Sequence, residues 1–138
     1  MPFAFEQDPP GVRCALRCSG DIDADVLLEV VAYAVRHLTG PTPQCLVEGR
    51  QIQSLDLDPE GFARALQTGQ ELTRRLGPGR SAFVVPVRYH SLAQLYLIRM
   101  ERHMKTVPET LLRRDFALFA EEQEALAWLA QANLEAPR

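Results

Sequence analysis

The side chains able to do chemistry gather at two places. Ser54-Leu55-Asp56-Leu57-Asp58 sets two carboxylates two residues apart beside a hydroxyl, an arrangement that can attract a cation or contact a basic partner. A metal site needs more oxygen ligands at better spacing. Asp58 followed by Pro59 is also the ordinary start of a helix, an N-cap carboxylate with proline at the first helical position. A solvated loop ending in a cap accounts for the same residues more simply. The second place is Arg88-Tyr89-His90-Ser91, between a strand-like run and a helical pattern. There α/β sheets bind ligands and helix amides attract anions, and Ser91 can cap the helix. The glycine-rich GPGR at 77 to 80 precedes a strand instead of following one, the wrong order for a phosphate loop.

The remaining candidates are dispersed. His37, His90 and His103 fall on three segments, none with a Cys, Asp or second His at ligand spacing, and no G-x-S-x-G elbow is present. Cys14, Cys18 and Cys45 fit no C-x-x-C pattern and lie on strand-like segments, where they read as buried, reduced thiols behaving as small hydrophobes. No catalytic residue, metal or cofactor is assigned, and the expectation is a protein that is not an enzyme.

The elements that must position these residues follow from periodicity. An apolar segment at Phe3 to Glu6, a Pro9-Pro10-Gly11 turn and the alternating run Val12 to Ser19 predict a β-hairpin. Asp21 or Asp23 can cap a helix in which Val26, Leu27, Val30, Val31, Ala34, Val35 and Leu38 recur at helical spacing until Gly40-Pro41. Gln44 to Glu48 predicts a short buried strand, followed by a loop over Gly49 to Leu57. Phe62, Leu66, Leu72 and Leu76 mark the inward side of a second helix that starts at Asp58-Pro59 and ends at Gly77-Pro78-Gly79. Ser81 to Val87 is a strand rich in β-branched residues, ending near Pro86.

A third helix runs from Ser91 to about Lys105, with Leu92, Leu95, Ile98 and Met100 as core candidates and Pro108 beyond its end. Its Arg99, Arg102, His103 and Lys105 suit a partner or anionic lipid, but Glu101 dilutes them to an ordinary solvated face. Met100 and Met104 read as core filler. Arg114 to Ala120 alternates as a strand, and Glu121 to Leu134 is a helix with an acidic first turn. The order is β-β-α-β-α-β-α-β-α: an α/β fold with a mostly parallel five-stranded sheet and an N-terminal antiparallel edge strand.

Size and charge bound the rest. The chain has 138 residues, enough for one domain spanning 1–138 to bury a core without metals or disulfides. The net charge of -3 argues against a partner that is nucleic acid, which calls for a basic surface. The N-terminus MPFAFEQDPPG lacks the regions of an export signal, and no apolar run is long enough to span a membrane. With the unpaired thiols, this makes the cytoplasm the expected compartment.

Three segments, GPGRSAFVVP at 77 to 86, LAQLYLIRME at 92 to 101 and RDFALFAEEQEALAWL at 114 to 129, resemble the SpoIIAA-like group of small bacterial proteins, which includes the STAS domains. The resemblance spans roughly residues 12 to 130. It implies a regulatory or protein-interaction module whose partner is another protein. In the phosphorylated members of that group a D-S or D-T pair carries the acceptor hydroxyl at a helix start. Here the matching positions are Asp58-Pro59, with no hydroxyl, and Ser54 lies four residues upstream. The expected working surface is therefore Ser54, Asp56, Asp58, Arg88, Tyr89, His90 and Ser91, with a homodimer through the hairpin edge or open sheet face as one form of partnership. The alternative is a small-molecule or lipid-like ligand held in an apolar pocket between the sheet and the third helix.

Overall fold

The computed structural model describes residues 3–106 and 113–134. Strands β1 (Phe3–Gln7) and β2 (Arg13–Asp23) form the hairpin, with Phe3 opposite Cys18 and Gln7 opposite Cys14. Helix α1 (Ala24–His37) leads to β3 (Gln44–Asp56), α2 (Pro59–Leu76) to β4 (Gly79–Val84), and α3 (His90–Met104) to β5 (Arg114–Phe119), before α4 (Glu122–Leu134) closes the described chain. The sheet order is β1-β2-β3-β4-β5, antiparallel only at β1-β2. The predicted α/β order and edge strand are what the structure has.

Successive right-handed crossovers that all step in one direction put their helices on one face. Accordingly Cys14, Leu16, Cys18 and Cys45 pack under Val30 and Ala34 of α1 and Leu72 and Leu76 of α2, and Phe62 and Leu66 pack with Met100 and Met104 of α3. Ala15, Leu46, Ala82 and Val84 point the other way, against Ala125 and Leu129 of α4. Beyond α4 that second face is ionic: Arg17 bonds Glu6, Glu48 and Glu122.

Three expectations need correction. First, residues 49–56 continue β3 instead of forming a loop, because β2 runs on to Asp23 and offers a ladder: Gly20 faces Ile52, Asp21 faces Ser54 and Asp23 faces Asp56. Register shifts near Arg17/Ser19 and Gly20/Asp21 break the period of two, leaving buried Ile52 and half-buried Leu55 three residues apart, so the sequence shows no strand pattern there. Ser54 and Asp56 therefore lie on a strand, and only residues 57 and 58 connect it to α2.

Second, Ser91 does not cap α3. A 3₁₀ turn, Val87–Tyr89, comes first, the helix opens at His90, and no side chain accepts from its first amides. Third, Leu95 and Ile98 are not core: Leu97, Met100 and Met104 take the buried stripe, which leaves Leu95 43% and Ile98 48% exposed. The Pro108 stop lies outside the described residues.

Candidate functional site

All four helices begin at the C-terminal edge of the parallel strands, the end where such sheets bind. β4 ends at Val84, opposite Glu48, so β3 beyond that point has β2 on one side and no strand on the other. Backbone carbonyls left on such an edge need donors. Arg88 supplies them: its Nη2 donates to Ile52 O at 3.0 Å and to Gln53 O at 3.4 Å, and the Tyr89 hydroxyl also donates to Gln53 O at 3.4 Å. Gln53 is the residue that the second register shift leaves without a partner on β2. The Arg88 guanidinium lies 4.8 Å from the Tyr89 ring centroid, so the two side chains act as one clamp.

The two sequence segments thus meet, though through different residues than their spacing suggests. Ser54 Oγ donates to Asp21 Oδ1 at 2.7 Å across the ladder. Asp56 is exposed at the end of β3. Asp58 accepts from the Gly61 amide at 2.6 Å and caps α2. His90 turns back to the carbonyl of Val85 at 3.0 Å, and Ser91 is exposed in the first turn of α3. Asp56, Asp58 and Ser91 make no hydrogen bond to the clamp among the described residues. Asp58 is a structural residue: Asp58→Ala is expected to lower the unfolding free energy by about 1 kcal/mol in a denaturant titration, the usual effect of losing an N-cap.

His37 stacks on Tyr33 and meets its carbonyl, and His103 lies against Arg74. No group of three metal-ligating side chains converges among the described residues.

Behind the clamp is an apolar cavity of about 150 Å³ between the sheet and α1, α2 and α3. Leu16, Val30, Ile52, Leu72, Tyr89 and Tyr96 are among its lining residues. Tyr89 thus belongs both to the clamp and to the cavity wall. The expected pocket was narrower in scope, between the sheet and the third helix alone. A dry cavity of this size accepts a guest as large as benzene.

The opposite end of the cavity holds a polar group that sequence spacing did not reveal. Cys14, Cys45, Ser81 and Phe116 form one row across the sheet. Two residues from Phe116, on the same face, Arg114 is buried. Its Nε donates to Ser81 Oγ at 2.7 Å, and its terminal nitrogens donate to the carbonyls of Thr42, Gly77, Pro43 and Arg80 at 2.8 to 3.4 Å. The Cys14 thiol, the charge of Arg114 and the Ser81 hydroxyl hold Cys45 below the usual thiol range, against the opposing effect of burial. Cys14 is pushed up by the neighbouring Cys45 and by its own burial. The one available signal was parity: an inward-facing arginine opening an otherwise apolar alternation at 114 to 119.

Comparison with protein-family models finds no match, and comparison with the curated proteins finds none either. Solved structures do match. An uncharacterised protein of the DUF3478 family with a SpoIIAA-like fold, from Shewanella loihica PV-4, is 15% identical with a TM-score of 0.57, over 92% of this chain and 91% of its own. An anti-sigma factor antagonist from Mycobacterium paratuberculosis is 17% identical with a TM-score of 0.55, over 93% and 92%. Strand order, the antiparallel edge and these likenesses together give this chain the SpoIIAA-like α/β fold.

Proposed function

We propose that this chain is a regulatory module that binds a protein partner, acts in the cytoplasm as one domain, and carries out no catalysis of its own. The observation that supports this most is the clamp of Arg88 and Tyr89 on the free edge of β3, which ties the connection between β4 and α3 to the end of that strand. Beside it Val87 is 71% exposed, and Leu95 and Ile98, three residues apart on α3, are exposed as well. Large apolar side chains left in water beside a rigid polar rim are the usual makings of a protein interface. One neighbour of the same fold is named as an antagonist of an anti-sigma factor, itself a regulator that acts on a protein. Switching by phosphate at the start of α2 is not part of this reading, since Asp58 and Pro59 occupy that position and the Ser54 hydroxyl is engaged by Asp21.

A photo-crosslinking residue placed at Val87, Ile98 or, as a control on α1, Arg36 tests the surface in living cells. The expected result is one discrete adduct shared by positions 87 and 98 and missing at 36. An adduct of twice the chain mass identifies the partner as a second copy. Indistinguishable patterns at all three positions overturn the reading.

The cavity favours a second reading, a small apolar ligand, because its wall is almost wholly hydrocarbon. Benzene at a hundred times its Kd is then expected to stabilise the protein by about 2.7 kcal/mol in thermal unfolding. An unchanged midpoint contradicts a guest in that space.

A further inference from the structure

We propose that Cys45 is an oxidant-reactive thiol with Cys14 as its resolving partner, and that a small peroxide reaches it through the apolar cavity. This site lies in the interior and stands apart from the partner-binding surface. Cys14 and Cys45 face each other in register on adjacent parallel strands. Strand spacing of about 4.8 Å puts directly opposed Cα atoms within the span of a disulfide. Both thiols are free, and both are buried. Cys45 and Ser81 line the cavity, so a molecule of two or three heavy atoms inside it lies against Cys45 without unfolding of the sheet.

The surroundings suit a thiolate. Ser81 Oγ accepts from Arg114, and the Cys14 thiol, the charge of Arg114 and the Ser81 hydroxyl together favour the Cys45 thiolate. Arg114 makes no ion pair with a carboxylate among the described residues; its hydrogen bonds end on one hydroxyl and four carbonyls. A buried cation surrounded by neutral acceptors favours an anion nearby, and the two thiols are the ionisable groups that face it. Cys18 is the internal contrast. It lines the same cavity, but burial and then the charge of Glu48 push its thiol up to about 11.

With hydrogen peroxide the balance is as follows. The Cys45 thiolate attacks one peroxide oxygen; the S–O bond forms and the O–O bond breaks. The hydroxide released takes up the proton that Cys45 gave off. Sulfur has lost two electrons and peroxide has gained them, leaving a sulfenic acid. Cys14 then attacks that sulfur, the S–S bond forms, and the hydroxyl leaves with the Cys14 proton as a second water.

The test treats the folded protein with hydrogen peroxide near neutral pH, alkylates what remains and maps the cysteines by mass spectrometry. The expected product is lighter by two hydrogens, carries a Cys14–Cys45 bond and leaves Cys18 alkylated. Cys14→Ser is expected to stop at a Cys45 sulfenic acid that dimedone captures. Ser81→Ala, in protein shown by its denaturant midpoint to remain folded, is expected to slow the oxidation severalfold, because it removes one of the groups that favour the Cys45 thiolate. The proposal is overturned if Cys45 in the native protein does not react. It is equally overturned if the three cysteines react alike at the rate of global unfolding, or if Ser81→Ala leaves the rate unchanged.

Discussion

Replacing Arg114 by methionine is expected to lower the unfolding free energy by about 4 kcal/mol. The reason is geometric. The guanidinium ties the loop before β3, through Thr42 and Pro43, to the end of α2 at Gly77 and to β4 at Ser81 and Arg80. Methionine fills comparable volume but takes the guanidinium donors away from four carbonyls and a hydroxyl in a buried site, of which the Pro43 carbonyl keeps another donor, the Arg80 amide. Burial pulls the guanidinium below its ordinary basicity, yet the nearby thiols hold it up, so it remains the cation around which these elements close. Arg114→Lys is expected to recover only part of the loss, because a compact ammonium has three donors and cannot reach a fork of five acceptors. Denaturant midpoints for the two variants check both statements; equal loss for lysine and methionine contradicts the argument from geometry.

The second large effect is expected at Gly79, the first residue of β4. Its φ of +147° is one that side chains rarely adopt, and a Cβ there would come within 2.1 Å of the carbonyl oxygen of Pro43. That obstacle is backbone, held in turn by the Arg80 amide and by Arg114, so it has no rotamer by which to yield. Gly79→Ala is therefore expected to cost about 3 kcal/mol, from combined strain and overpacking, measured by the same titration. Gly11→Ala, where a Cβ meets nothing and only the φ of +78° resists, is expected to lose less.

Much of the fold was legible because most segments bury one face, and burial writes its period into the sequence. Val30 and Ala34 on α1, and Leu72 and Leu76 on α2, are buried at the spacing a helix requires. The alternation of Cys14, Leu16 and Cys18 gives β2 its inward side in the same way. Where the period fails, the reading fails with it. The register shifts in β3 separate Ile52 from Leu55 by three residues and hide eight residues of strand as a loop. Leu95 and Ile98 were read as core because apolar residues usually are, yet a helix with apolar side chains on more than one face cannot say which face meets the sheet.

The site was legible only in part. The positions after β3 and β4 follow from the general geometry of α/β sheets, but the bonds from Arg88 and Tyr89 to the carbonyls of residues 52 and 53 depend on a free strand edge that no local pattern announces. The Cys45–Ser81–Arg114 group joins three strands and has no spacing signature at all.

The central claim is that the edge formed by the end of β3 and the start of α3 is where this protein meets its partner. Amide hydrogen exchange, read by mass spectrometry on the free chain and on its complex with the cross-linked partner, tests it most directly. Slowed exchange across residues 51–57 and 86–98, with α1 and β1 unchanged, is the expected result. Protection confined to α1 or to the β1 edge contradicts it.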